Sequence, residues 1–98
     1  MKKPERVFLF GASGMGMAPL AFYLRGAGME VEAFDDHIRE PLRSQMVDAG
    51  VEVLLEPVPR RQPDYVIRSS AIIPADPRLS SFRLSGTTIY KRGDFLAE

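Results

Sequence analysis

The run Val7-Phe8-Leu9-Phe10-Gly11-Ala12-Ser13-Gly14-Met15-Gly16-Met17 constrains the fold more than any other stretch. An apolar strand passes directly into a glycine-rich turn and then into a helical pattern. Glycines at 11, 14 and 16 let the backbone approach a diphosphate closely, and N–H groups at the start of the following helix point toward such an anion. The spacing is close to G-x-G-x-x-G, with Ser13 at the middle position and Gly14 beside it. Taken alone, the motif reads either as a cradle for a nucleotide-type ligand or as a tight structural turn.

The rest of the chain decides what surrounds that turn. Arg6 to Phe10 reads as a fully buried strand, and Met17, Leu20, Ala21 and Leu24 recur at helical spacing until Gly26 or Gly28. Pro19 falls near the first turn of that helix, where a missing N–H costs least. Val31 to Phe34 is a second strand, ending at Asp35-Asp36. Pro41 opens a second helix with Leu42, Met46 and Ala49 on its buried face and Gly50 after it. Val51 to Leu55 is a third strand. Pro57, Pro59 and Pro63 then exclude a full crossover helix. A bare loop suffices, because a crossover diagonal of roughly 22 Å lies within the reach of nine extended residues, about 30 Å. Tyr65 to Ile67 is a fourth strand. Asp76-Pro77 starts a helix with Leu79 and Phe82 buried as far as Gly86, Thr87 to Tyr90 is a fifth strand, and Asp94 to Glu98 begins a last helix. This alternation predicts an α/β fold: a Rossmann-like, doubly wound, five-stranded parallel sheet of order 3-2-1-4-5, forming a single domain over residues 1–98. The order reverses between the first and fourth strands, so a crevice is expected there, with the Gly11–Gly16 loop facing the Ser69-Ser70 turn.

Composition removes several classes of function. The 13 basic and 13 acidic side chains cancel without a long basic run, so no nucleic-acid partner is expected. Cysteine is absent, which excludes disulfide frameworks and thiolate chemistry and suits a reducing cytoplasm. His37 is the single histidine, and no metal site is expected. No segment approaches membrane-spanning length, so no membrane partner is expected either.

Within this frame Asp35 stands at the end of the second strand, where Rossmann domains place the acid that bonds a ribose hydroxyl, and an acid there disfavours a 2′-phosphate. Its alternative is a solvated turn carboxylate beside Asp36. Ser69 and Ser70 offer hydroxyl and N–H groups at the crevice mouth or form an ordinary turn. Arg68 either snorkels to the rim or pairs with an anion. Arg92, beside Lys91, is placed to neutralise a phosphate or carboxylate, with a surface ion pair as its alternative. No catalytic residue is expected: neither a G-K-[ST] phosphate loop nor a G-x-S-x-G elbow occurs.

Taken together, Phe10 to Met17, Leu20-Ala21, Gly28 with Val31 and Asp35, Gly50, Ser69-Ser70-Ala71-Ile72, Lys91-Arg92 and Phe95-Leu96-Ala97-Glu98 resemble the N-terminal domain of Mur ligases. The likeness spans nearly the whole chain. It implies a UDP-sugar-binding domain of a cytoplasmic bacterial enzyme of peptidoglycan biosynthesis. The Ser-Ser-Ala-Ile segment favours the branch that joins L-alanine to UDP-N-acetylmuramate over the branch that recycles murein tripeptide. In that family a central domain binds ATP and a C-terminal domain helps bind the amino acid. The muramyl carboxylate is phosphorylated to an acyl phosphate, which the amine then attacks. By resemblance, Gly11, Ser13, Gly14, Met15 and Gly16 cradle the diphosphate through backbone N–H groups, Asp35 lies toward the nucleoside, Ser69 and Ser70 line the opposite wall, and Arg92 approaches the phosphate or muramyl side. Ser13 replaces a family glycine and Arg68 an apolar residue. The chain stops where the family's ATP-binding domain would begin, so ATP and magnesium are expected in a central domain elsewhere, the partners are the remaining ligase domains, and this segment alone is expected to be inert. A small NAD-binding regulatory module is the competing reading.

Overall fold

In a computed structural model, residues 5–14 and 16–96 are described. The centre of the fold is β1 (Arg6–Phe10), whose Val7, Phe8, Leu9 and Phe10 are each 1% exposed or less. Buried on both faces, such a strand must lie inside a parallel sheet covered by helices on either side. It pairs in parallel with β2 (Glu30–Phe34) and β4 (Tyr65–Arg68), and the sheet is completed by β3 (Glu52–Leu54) beyond β2 and β5 (Thr88–Lys91) beyond β4. The order is therefore β3-β2-β1-β4-β5, all parallel, as the alternation of elements predicts.

Two cores result from the two-residue period of the strands. Val7, Leu9, Ala33 and Ile67 face α1 (Met17–Gly26) and α2 (Leu42–Asp48), with Met17, Leu20, Ala21, Leu24 and Met46 closing that side. Phe8, Phe10, Phe34 and Val66 face a 3-10 turn (Pro77–Leu79) that runs into α3 (Ser80–Ser85), where Leu79 and Phe82 are buried. Fully burying a side chain of this size stabilises the fold by roughly 1.5–3 kcal/mol. The last element is α4 (Arg92–Leu96), packed through Phe95 on Tyr65 and Tyr90.

Several boundaries differ from the sequence expectation, each for a local reason. β2 starts at Glu30, not Val31, because Glu30 N–H donates to the Glu5 carbonyl and its carboxylate pairs with Arg6. β3 is shorter than expected: it is an edge strand opposed only by Glu32 to Phe34, and Leu55 beyond it is 80% exposed. β4 extends to Arg68, which is in register with Phe10 and Lys91. Thr87 lies outside β5 because its N–H goes back to the Phe82 carbonyl within α3. Pro41 is the N-cap of α2 and Ala49 its exposed C-cap, so Ala49 does not share the buried face with Met46. Gly26 is the last residue of α1, followed by Ala27 as C-cap. α4 begins two residues before Asp94, directly after β5; Ala97 and Glu98 fall outside the described residues.

The connection from β3 to β4 carries no helix, as its prolines predict. Asp76 caps the 3-10 turn by accepting a hydrogen bond from Arg78 N–H at 2.9 Å, with Pro77 next to it.

Candidate functional site

Glycine is required in the first loop by what packs against it. Gly11 and Gly16 have φ of +89° and +78°, a region that side chains strain to enter. A Cβ on Gly14 would stand 2.3 Å from Ser69 Oγ, and one on Gly11 would stand 2.8 Å from Ser69 Cβ. A Cβ on Gly16 would stand 2.8 Å from Cζ and Nη1 of Arg92. The first two glycines thus admit Ser69, and the third admits a guanidinium. Ser13 has no positive φ and is exposed, so serine is accommodated there without backbone strain. Met15 lies outside the described residues.

The loop's N–H groups are largely committed to the protein itself. Gly11 and Ala12 donate to the Phe34 carbonyl at 2.8 and 3.0 Å, and Gly14 donates to the Gly11 carbonyl at 2.9 Å. Ser13 N–H donates to Asp35 Oδ2 at 2.9 Å, while Asp35 Oδ1 accepts from His37 N–H at 2.8 Å. Burial alone pushes the Asp35 carboxyl up, but the Ser13 hydroxyl and N–H together with the His37 N–H outweigh it. The group is held below the ordinary carboxylate range. Asp35 therefore remains an anion while it fastens the glycine loop to the end of β2.

Between these elements lies a crevice of about 260 Å³ over the C-terminal ends of β1, β2 and β4. Gly11, Ser13 and Gly14 form one side, Asp35, Asp36 and His37 a second, and Ser69, Ala71 and Ile72 a third. This is the switch point at which the strand order reverses, the expected ligand position in an open α/β sheet. Ser69 is 3% exposed and accepts the Ala71 N–H on its Oγ at 3.2 Å. Ser70 is exposed and does not line the crevice. Arg92 is not in the crevice either. Its guanidinium lies over Gly16 on the other side of the loop, at the head of a groove of about 730 Å³ between α1 and α4. Its Nε is buried and has no hydrogen-bond partner among the described residues. The expected site residues thus divide into two places: Gly11, Ser13, Gly14, Asp35 and Ser69 around the crevice, and Gly16 with Arg92 at the start of α1.

Three arginines hold the far wall, two of which, Arg78 and Arg83, no motif in the chain singles out. Arg68 donates through Nη1 to the Ile72 carbonyl at 2.8 Å, so its head group is tied to the protein backbone, which neither expected alternative describes. Arg83 donates to the carbonyls of Pro74 and Asp76 at 2.7 and 3.2 Å. Arg78 donates to both oxygens of Asp36 at 3.1 and 3.0 Å and to Asp76 Oδ2 at 2.9 Å, and its Cζ lies 4.8 Å from the centre of the Phe10 ring. The Arg78 hydrogen bond to Asp76 holds that carboxyl below its ordinary value. One signal for Arg78 was present in the chain: a cation in the first turn of a helix opposes the helix dipole, so an arginine at that position calls for an anionic partner nearby.

No family model matches the sequence. A UDP-N-acetylmuramate–L-alanine ligase of Fusobacterium nucleatum is 34% identical over 101 residues, which is 100% of this chain and 21% of the relative. A solved UDP-N-acetylmuramate–alanine ligase of Thermotoga maritima superposes with a TM-score of 0.81 at 19% identity, covering 93% of this chain and 21% of its own. A murein peptide ligase of Psychrobacter arcticus superposes with a TM-score of 0.77 at 23% identity over 87% of this chain and 18% of its own. The chain spans about a fifth of the length of the curated relatives it matches. Along its whole length this stretch of chain is similar in sequence to UDP-N-acetylmuramate–L-alanine ligases, and it shares its fold with part of the solved Mur ligases.

Proposed function

We propose that the chain is the N-terminal, substrate-holding domain of an ATP-dependent ligase that joins L-alanine to UDP-N-acetylmuramate. The observation that carries this reading is the buried Nε of Arg92 over Gly16, without a partner among the described residues, at the N-terminal turn of a ten-residue helix beside a switch-point crevice. A helix N-terminus and a guanidinium are complementary to the same anion, and the adjoining crevice with Asp35 and His37 is left for the nucleoside. Because Gly11, Ala12, Ser13 and Gly14 already have acceptors, the diphosphate is held at the Gly16 end of the loop, beside Arg92. The anionic Asp35 favours a ribose hydroxyl over a phosphate at the nucleoside end. ATP, magnesium and the amino acid are handled by other domains, since these residues contain no lysine-and-hydroxyl phosphate loop. The names of the sequence relatives favour the L-alanine-adding reaction over murein-tripeptide recycling.

Isothermal titration of the 98-residue chain with UDP-N-acetylmuramate and with NAD tests the reading. UDP-N-acetylmuramate should bind and NAD should not bind comparably. Arg92→Ala should weaken the first by about ten- to a hundred-fold, as expected for a lost charge-assisted hydrogen bond. Tighter binding of NAD than of the UDP-sugar would overturn it.

A further inference from the structure

Two walls of the crevice lie outside the regular elements: the turn Asp35–His37 after β2, and the loop from Ser69 to Asp76 after β4. Neither is part of a strand or helix, yet the width between them decides what the crevice can hold. Arg78 spans them. Its guanidinium grips both oxygens of Asp36 on the first wall and Asp76 at the end of the second, and lies against the ring of Phe10, the last residue of the strand between them. Its side chain is about a third exposed, and it does not line the crevice. We propose that Arg78 is a positioning residue, which sets the spacing of the two walls and, through Asp36, the place of Asp35 under the glycine loop.

The chemistry of the fork supports this role. A planar guanidinium can serve two carboxylates and stack on an aromatic face at once, which a lysine ammonium cannot. Asp36 immediately follows Asp35, so holding its carboxylate restrains the turn that presents Asp35 to Ser13 N–H. The ligand consequence rests on the function proposed above; the effect on the walls does not.

The test therefore has two arms. In the ligand-free chain, amide hydrogen exchange at Ser13 and His37, whose N–H groups Asp35 holds, should accelerate by about ten-fold or more in Arg78→Ala, while amides of β1 and β4 keep their protection. Asp36→Ala, which leaves the guanidinium on Phe10, should give the same pattern and serves if Arg78→Ala fails to fold; Arg78→Lys should not restore protection. In titrations with UDP-N-acetylmuramate, Arg78→Ala and Asp36→Ala should each lose about ten-fold in affinity, and the double variant should be no worse than either. Unchanged exchange at Ser13 and His37 in both single variants overturns the proposal. So does an affinity loss in Arg78→Ala that Asp36→Ala does not share. Absence of any UDP-N-acetylmuramate binding by the unaltered chain overturns the proposed function instead, and the exchange arm still decides the role of Arg78.

Discussion

Single residues in the glycine loop carry different constraints although they look alike in the chain. Gly14 makes room for the hydroxyl of a buried serine, whereas Gly16 combines a left-handed backbone with a guanidinium at contact distance. Valine at position 16 meets both obstacles: a β-branched side chain strains at φ of +78°, and its Cβ would displace Arg92. Gly16→Val should therefore destabilise the fold by more than about 1 kcal/mol and abolish UDP-N-acetylmuramate binding, checked by denaturant unfolding and titration of the same sample. A folded variant with unaltered affinity would show that the loop is a turn only. The glycines themselves were legible from spacing. The neighbours that require them were not, because Ser69 and Arg92 reach the loop from the ends of other strands.

At the level of elements, the crossover from β4 to β5 depends on one acid with two duties. Asp76 caps the 3-10 turn that leads into α3 and receives the guanidinium of Arg78. Replacing an N-cap by alanine costs about 0.5–2 kcal/mol, and here the change also removes a partner of Arg78. Asp76→Ala should lower stability by about 1–3 kcal/mol in denaturant unfolding. Asp76→Asn keeps a cap acceptor and should lose less. Equal losses in the two variants would assign the whole effect to charge. The Asp-Pro start of this element and its buried Leu79 and Phe82 follow from local pattern alone. Its opening as a 3-10 turn, and the exposure of Ala49 just past α2, are not contained in any local pattern.

Across the whole molecule, the pH dependence of stability follows from where the carboxylates ended up. Asp35 and Asp76 both have carboxyls held below their ordinary value, the first by hydrogen bonds that outweigh its burial and the second chiefly by Arg78. An unfolded aspartate titrates near about pH 4, so the stability these groups contribute is present above that value and is lost as pH falls through their lower folded values. Glu32 acts in the opposite sense, because burial pushes its carboxyl up. Comparison of variants therefore isolates the effect. Unfolding midpoints measured from about pH 2 to pH 7 should fall less steeply on the acid side for Asp35→Asn and for Asp76→Asn than for the unaltered chain; parallel profiles would exclude both groups as the source. The succession of elements and, from their alternation, the strand order and the switch point were determined by the sequence by itself, because hydrophobic period and the placement of glycine and proline act within a few residues of one another. What only the tertiary structure decided is the division of the site. Asp35 spends its carboxylate on Ser13, 22 residues away, Arg78 reaches Asp36 across 42, and Arg92 stands over Gly16 instead of in the crevice. Partners so distant along the chain are selected only when strands align and bring their ends together, and hydrogen-bonding groups without a neighbour in sequence must then find one in space.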